Sequence, residues 1–311
     1  MAASAEPTAA GKPYVSGFVS ILGRPNVGKS TLLNAFLGRK LAIVSDKPQT
    51  TRTRIQGVLH LEGGQIVFLD TPGILQSESL IHKRMMKEVR AALDGLDLVL
   101  FVADAAEPFT EKDRQAVRLL DGIATPALLL LNKIDLVSNK AALLPLMDDY
   151  RRLERFEELI PVSALTGEGL EEVREAVLAR LPEGPQYYPE DYLTDQPERF
   201  FAAEIIREKV LDETRQEVPH AVLVLVERWE ETPRLVKIGA LIYVEREGQK
   251  AILIGAQGSM LKKIGTLARQ ELEFLLGRKI YLELFVKVRP KWREDPALVN
   301  AIDWRGREGL S

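Results

Sequence analysis

The sequence predicts an α/β protein whose first part is built on a mostly parallel six-stranded sheet, followed by a smaller α+β unit. Three features predict it. Between Tyr14 and Leu181, short apolar runs alternate with segments of helical period, the mark of strand–helix–strand crossovers in a sheet covered on both faces. Residues 182–197, PEGPQYYPEDYLTDQP, hold four prolines and little periodicity, which marks a linker. Beyond it a helical pattern gives way to two-residue alternation and then to helical period again.

Taken in order, residues 1–13 are expected to be a disordered tail, because MAASAEPTAAGK has neither the basic start nor the apolar run of a secretory signal. The domain at 14–181 opens with strand VSGFVSIL and helix STLLNAFLG, then strand QIVFLD and helix LIHKRMMKEVRAAL. DLVLFVAD, PALLLLNK and LIPVSA follow, each leading toward another amphipathic segment. In such sheets ligands sit beyond the carboxyl ends of the strands. The second domain, 198–311, begins with a helix over 198–215, an apolar run at 220–227 and a strand in which Val236, Ile238, Ala240, Ile242 and Val244 alternate. AILIG reads as a strand end before the loop GAQG. A helix then places Met260, Leu261, Ile264, Leu267, Ala268, Leu272 and Leu275 on one face, and Leu282, Leu284, Val286 and Val288 alternate in a final strand.

Composition narrows the function classes. At 46% apolar and 28% charged residues the chain is an ordinary water-soluble type, and its longest apolar run, PALLLL, is far too short to span a bilayer. A cytoplasmic protein is expected. With no cysteine, disulfides, thiolate zinc sites and cysteine nucleophiles are excluded. His60, His82 and His220 lie far apart without metal spacing. Between Arg234 and Arg293 thirteen Lys and Arg face five Asp and Glu, although the whole chain carries only −3. That asymmetry points to an anionic partner for the second domain.

GRPNVGKST, residues 23–31, lies between an apolar strand and a helix. Such a loop can turn several backbone N–H groups inward, and with the helix N-terminus it makes a cavity for phosphate oxygens. The spacing GxxxxGK[ST] arises by chance in roughly one chain in a hundred of this length, and here both flanks fit. Gly23, Asn26, Val27, Gly28, Lys29, Ser30 and Thr31 form the expected phosphate-binding set: Gly23 and Gly28 permit the tight backbone, Lys29 reaches the β and γ phosphates, and the Ser30 hydroxyl meets Mg²⁺. LDTPG, 69–73, ends another strand. Asp70 is placed to hold Mg²⁺ and the Gly73 amide to sense the γ phosphate, with Thr71 and Pro72 between them. NKID, 132–135, ends the strand PALLLL. Guanine offers two adjacent donors, which one carboxylate accepts together, so Asp135 is suited to that base, with Asn132 holding the loop and the Lys133 stem covering the ring. In VSALTG, residues Ser163, Ala164 and Leu165 close the pocket, with the Ala164 amide offered to guanine O6.

GRPNVGKS, DTPG, NKID and SAL, in this order and spacing, resemble the motifs of translation-factor-class GTPases and imply a P-loop GTPase domain using GTP or GDP with Mg²⁺. SDKPQTTRTR, 45–54, resembles their switch I segment, in which a threonine completes the magnesium shell. Thr51 is chosen, with Thr50 the alternative. Where many small GTPases carry a water-orienting glutamine after DxxG, this chain has Ile74, which can neither donate nor accept a hydrogen bond through its side chain. Families with Asn at the position of Asn26 use a potassium ion instead. The resemblance therefore implies slow intrinsic hydrolysis, stimulated by K⁺ at Asn26.

ILIGAQGSMLKKIG, 252–265, carries a G-x-x-G loop, Gly255 to Gly258. Average glycine usage yields about one or two such matches per chain of this length, and GREG at 306–309 is a second, so context decides. The loop precedes an amphipathic helix inside the most basic stretch of the chain. Its glycines allow a nucleic-acid backbone to approach, Lys262 and Lys263 can neutralise phosphate, and Ile254, Ala256 and Gln257 edge a groove for unstacked bases. With a helix and two strands ahead of the loop, the region resembles a type II KH domain. One G domain followed by one such domain resembles the Era-like GTPase family of small-subunit ribosome assembly. That resemblance implies 16S rRNA near its 3′ end and the 30S subunit as partners, a monomer, and peripheral contact with the inner membrane. KVRPKWRED, 287–295, extends the basic face, with Trp292 read as filling the domain edge in preference to stacking on a base. Two other readings stand beside it: a constitutive RNA-binding module with a structural G domain, and a membrane-associated signalling GTPase.

Overall fold

The structure, a computed structural model, describes residues 13–47, 49–74, 79–215 and 218–307. The tail expected at 1–13 lies outside these residues, Pro13 excepted. The chain order begins β1 (Val15–Gly23), α1 (Lys29–Leu37), β2 (Ile55–Leu61), β3 (Gly64–Asp70), α2 (Leu80–Ala91) and β4 (Leu98–Asp104). It continues with α3 (Glu111–Val117), β5 (Ala127–Asn132), α4 (Leu143–Arg151), β6 (Glu158–Pro161) and α5 (Leu170–Leu178). These strands form one six-stranded sheet in the order β2-β3-β1-β4-β5-β6. All neighbours pair in parallel except β2 with β3. β3 and β5 are buried along their whole length, which is why they read as continuous apolar runs without alternation. β2 is the strand that no periodicity singled out. It pairs with β3 as an antiparallel hairpin through Glu62 and Gly63, the latter at φ 79°, a short turn that needs a left-handed residue.

Register explains why the motifs meet. Ile21 pairs with Asp70, Gly23 with Val102, and Asp104 with Asn132. The carboxyl ends of β1, β3, β4 and β5 therefore lie side by side, and β1 sits between β3 and β4 where the strand order reverses, the place where open α/β sheets bind ligands.

The second unit runs α6 (Glu198–Glu213), α7 (Val218–Ala221), β7 (Leu223–Glu231), β8 (Leu235–Val244), α8 (Glu247–Ile254), α9 (Ser259–Leu276) and β9 (Lys279–Val288). Among the described residues two short helices follow, α10 (Pro296–Asn300) and α11 (Trp304–Arg307). β8 is central, antiparallel to β7 and parallel to β9. Ile205, Ile206, Val210, Ile238, Ile242, Ile264, Ala268 and Leu272 form its buried core.

One expectation is overturned here. AILIG is not a strand end: residues 247–254 are helical, so the G-x-x-G loop joins two helices. Gln249 decides it, because its Oε1 accepts from the amides of Glu245 and Arg246 at 2.9 and 3.0 Å and caps the turn. Only Gln249 and Leu253 of this helix are buried, while Ile252 is half exposed. A four-residue apolar run has no period of its own to separate helix from strand.

Residues 182–197 have little regular structure but are fastened to the first sheet. Ser16 Oγ donates to Pro185 O at 2.7 Å, and Gln65 Nε2 donates to Tyr188 O at 2.8 Å. The Val58 amide reaches Leu193 O at 2.8 Å, and Thr194 Oγ1 donates to Gln56 O at 2.6 Å.

Candidate nucleotide site and nucleic-acid loop

The loop after β1 surrounds a cleft of about 460 Å³ whose walls include Asn26, Gly28, Lys29, Ser30, Thr31, Asp46, Thr51 and Gly73. Gly28 stands at φ 96°, and a Cβ there would sit 2.3 Å from Asn132 Nδ2. A side chain is therefore excluded both by conformation and by the base-side loop behind it. Gly73 is held for the same kind of reason: a Cβ would lie 2.7 Å from Pro25 Cα.

Lys29 is buried, and its Nζ donates to Gly23 O and Arg24 O at 3.2 and 2.8 Å. Burial lowers its pKa to about 8, against the pull of the Asp70 charge. Asp70 is fully buried. Burial pushes its carboxyl up to about 6, opposed by Lys29 and by hydrogen bonds from Ser30 and Thr51. Ser30 Oγ donates to Asp70 Oδ2 at 2.7 Å and lies 2.8 Å from Thr51 Oγ1. Asp70 Oδ1 is buried with no hydrogen-bond partner among the described residues.

Three hard oxygens thus converge on one point, one carboxylate oxygen is left without a donor, and a buried cation stands beside them. This donor set fits Mg²⁺, which takes one or two protein oxygens and completes its shell with phosphate and water. Of the two threonines considered for switch I, Thr51 is buried in this cluster, whereas Thr50 Oγ1 donates to Lys47 O at 2.7 Å. Thr71 Oγ1 donates to Ile21 O at 2.9 Å and ties the DTPG segment to β1. Asn26, at φ 64°, donates its Nδ2 to Asp46 O at 2.7 Å.

On the base side, Asn132 Nδ2 donates to Val27 O at 2.8 Å and Asn132 Oδ1 accepts from the Ala164 amide at 2.9 Å. Asn132 therefore ties the phosphate loop to the segment Ser163–Leu165, and any donation from Ala164 to guanine O6 shares an amide already engaged. Asp135 Oδ1 accepts from Ser163 Oγ at 2.6 Å, which ties the NKID carboxylate to the segment Ser163–Leu165. Lys133, at φ 69°, pairs with Asp104 Oδ2 at 2.6 Å. Leu165 is 77% exposed, an apolar side chain left in water. Ile74 packs at the edge of a core cluster, and its amide donates to Gly23 O at 3.1 Å.

In the second unit, Gly255 and Gly258 stand at φ 70° and 78°. Ala256, Gln257, Lys262 and Lys263 are exposed, Ile254 half-buried. Lys263 is paired with Glu213 at 2.5 Å, so its charge is partly spent. Trp292 is fully buried, with Nε1 donating to Ala221 O at 2.7 Å, so stacking on a base is excluded in this arrangement.

The contacts that motif reading could not reach join the two units. Arg52, two residues before the end of the SDKPQTTRTR stretch, is buried against the second unit, donating to Val222 O at 2.7 Å with its guanidinium over the Trp292 ring. Arg207 of α6 donates to Thr50 O. The Val44 amide donates to Glu208 at 2.9 Å, and Lys40 reaches Glu208 at 2.5 Å and also pairs with Glu271. Ile81 and Met85 of α2 enter one buried cluster with Leu223, Leu225, Tyr243, Trp292 and Ile302. Partners more than 130 residues apart leave no trace in local spacing.

Among the described residues no helix is long and apolar enough to cross a membrane, and no cluster of three His, Cys, Asp or Glu could hold a metal. Comparison with known proteins gives two family matches: the family described as 50S ribosome-binding GTPase over residues 18–133, and KH domain over 217–293. GTPase Era of Geobacter metallireducens is 50% identical over 94% of this chain and 98% of that protein. GTPase Era of Thermotoga maritima is 50% identical over 91% and 95%. Among solved structures, an Aquifex aeolicus Era variant bound to GDP·AlF4⁻ is similar with a TM-score of 0.89 and 41% identity, covering 93% of this chain and 98% of that one. An Era complex with MgGDPNP and nucleotides 1506–1542 of 16S ribosomal RNA gives 0.90 and 41% over the same shares.

Proposed function

The chain belongs to the Era family of GTPases, and from that premise we propose that it is a GTP-driven switch that binds 16S rRNA near its 3′ end through its KH domain and assists assembly of the 30S subunit in the cytoplasm. The observation that carries this reading is the double engagement of one segment. Thr51 faces Ser30 and Asp70 in the nucleotide cleft, while its neighbour Arg52 is buried against the KH domain. A change at the γ phosphate that moves residue 51 moves residue 52 with it, and the two sites are coupled through a continuous, packed connection.

In this reading the loop amides from Asn26 to Ser30 and the Lys29 ammonium hold the β and γ phosphates. Ser30, Thr51 and Asp70 hold the magnesium ion, which when bound neutralises phosphate charge. Asp135 selects guanine. The side chain of Ile74 cannot orient water, so turnover is slow, and a potassium ion at the Asn26 carbonyl oxygen supplies the missing positive charge. The KH loop from Gly255 to Gly258, with Lys262, holds single-stranded RNA; the related Era complex contains a 16S rRNA fragment that includes nucleotide 1542.

Binding of a short single-stranded RNA, measured with Mg·GDP and with a non-hydrolysable GTP analogue, tests the proposal. A nucleotide-dependent difference in affinity supports it. Equal affinities in both states make the chain a constitutive RNA-binding module with a structural G domain.

A further inference from the structure

A second cavity, of about 190 Å³, lies apart from the nucleotide cleft, between Arg52, helix α6, strand β7 and the C-terminal helices. Its polar lining is unusual in kind. Arg52, Arg207 and Trp304 all line it, and they are 4%, 1% and 8% exposed. Arg52 Nε, Arg207 Nη1 and Trp304 Nε1 are all buried donors with no hydrogen-bond partner among the described residues.

Charge is unbalanced as well. Glu204, the one carboxylate in the lining, is held by Arg207, with Nε to Oε1 at 2.8 Å and Nη2 to Oε2. Arg52 makes its contacts with the Val222 carbonyl and the Trp292 ring, neither of which carries a charge. Burial, and then the neighbouring Arg207 charge, lowers the Arg52 pKa to about 9 against the pull of Glu204. A buried guanidinium without an anion is costly, and three unpaired donors carried by residues that line one space call for acceptors.

The geometry points to an anion site for phosphate, either the free ion or a phosphate monoester, held by Arg52, Arg207 and Trp304 at the joint between the two domains. A tetrahedral oxyanion offers enough acceptor lone pairs to satisfy all three N–H groups and supplies the charge that Glu204 does not. The space exceeds that of a few waters, at about 30 Å³ each, and Phe200, Leu223, Leu225 and Ile302 give it an apolar side where the carbon portion of an ester would rest.

The test uses the full chain with its nucleotide site saturated by Mg²⁺ and a non-hydrolysable GTP analogue, so that the γ position is filled, added phosphate cannot report on the loop after β1, and Thr51 and Arg52 keep the engagement described above. Titration calorimetry with inorganic phosphate at constant ionic strength should show saturable binding. Arg207→Met, which removes the charge and Nη1 while nearly keeping volume, should weaken it at least tenfold, and Trp304→Phe, which removes the indole N–H while keeping an aromatic ring, severalfold. No heat beyond a matched chloride control, or the same affinity in all three proteins, overturns the assignment. Wild-type crystals soaked in selenate give a readout independent of any variant's folding: an anomalous peak within hydrogen-bond distance of Arg52 Nε and Arg207 Nη1 supports the site, and water alone there overturns it. Ribose 5-phosphate run beside inorganic phosphate distinguishes the two sources, tighter binding of the sugar identifying an ester and equal binding the free ion.

Discussion

Burial holds the Asp70 carboxyl at about 6 in the folded chain, while an unfolded chain titrates it at about 4. Between those values the folded state binds more protons, so the stability that Asp70 contributes is fully present below about pH 4 and is lost as pH rises through 6. At about 1.4 kcal/mol per pKa unit, its ionisation costs on the order of 2–3 kcal/mol at neutral pH without nucleotide. Asp70→Asn is therefore expected to stabilise the nucleotide-free chain at pH 7, with the gain vanishing by about pH 4. Urea denaturation at both pH values checks this, and an equal effect at the two would contradict it. The same variant should lose magnesium-dependent nucleotide affinity. Asp135 supplies a second outcome. Two charge-assisted hydrogen bonds, at about 1.5–3 kcal/mol each, place the loss of GTP affinity in Asp135→Ala at roughly two to four decades, with ATP unaffected, measured by competition against a fluorescent nucleotide. At Asn26, hydrolysis should be faster in K⁺ than in Na⁺ at equal ionic strength, and Asn26→Asp should alter that ratio. Identical rates in both salts for both proteins would remove the potassium assignment.

At the scale of elements, the phosphate loop and the DTPG and NKID segments were legible because each is contiguous and sits at the end of a strand whose apolar run is unambiguous. The sheet register then brings Gly23, Asp70 and Asn132 to one edge without further information. Helix α8 was not legible, because AILI is too short to show a period and its deciding contact is the Gln249 cap. The corrected setting changes how the RNA loop should be tested. Gly255 lies against the first turn of α9, where a Cβ would meet Met260 Cβ at 2.8 Å, whereas at Gly258 there is open space. Gly258→Asp is thus the cleaner probe, since aspartate tolerates a left-handed backbone better than most residues. It places a negative charge where an RNA backbone would approach. RNA affinity is expected to fall at least tenfold with GTP turnover unchanged, and unaltered RNA binding would show that the strand runs elsewhere.

At the scale of the whole molecule, helix α2 of the first domain and the second domain share a buried cluster, and Trp292 is its largest member. Trp292→Ala should cost about 3–5 kcal/mol. Because Ile81 and Met85 come from the first domain, it should also separate chemical denaturation into two steps. A single transition at an unchanged midpoint would refute this. The sequence favoured the domain edge for Trp292, which its burial bears out, but its partners in helix α2 were not visible in the chain, because they lie about two hundred residues away. The fastening of residues 182–197 has a further consequence. Thr194 is held to β2 and helix α6 starts at Glu198, so only Asp195, Gln196 and Pro197 are left as a pivot. At about 3.5 Å per extended residue this hinge is roughly 10 Å long. Any swing of the KH domain turns about one corner of the G domain, and a detached domain stays at millimolar effective concentration beside its seat.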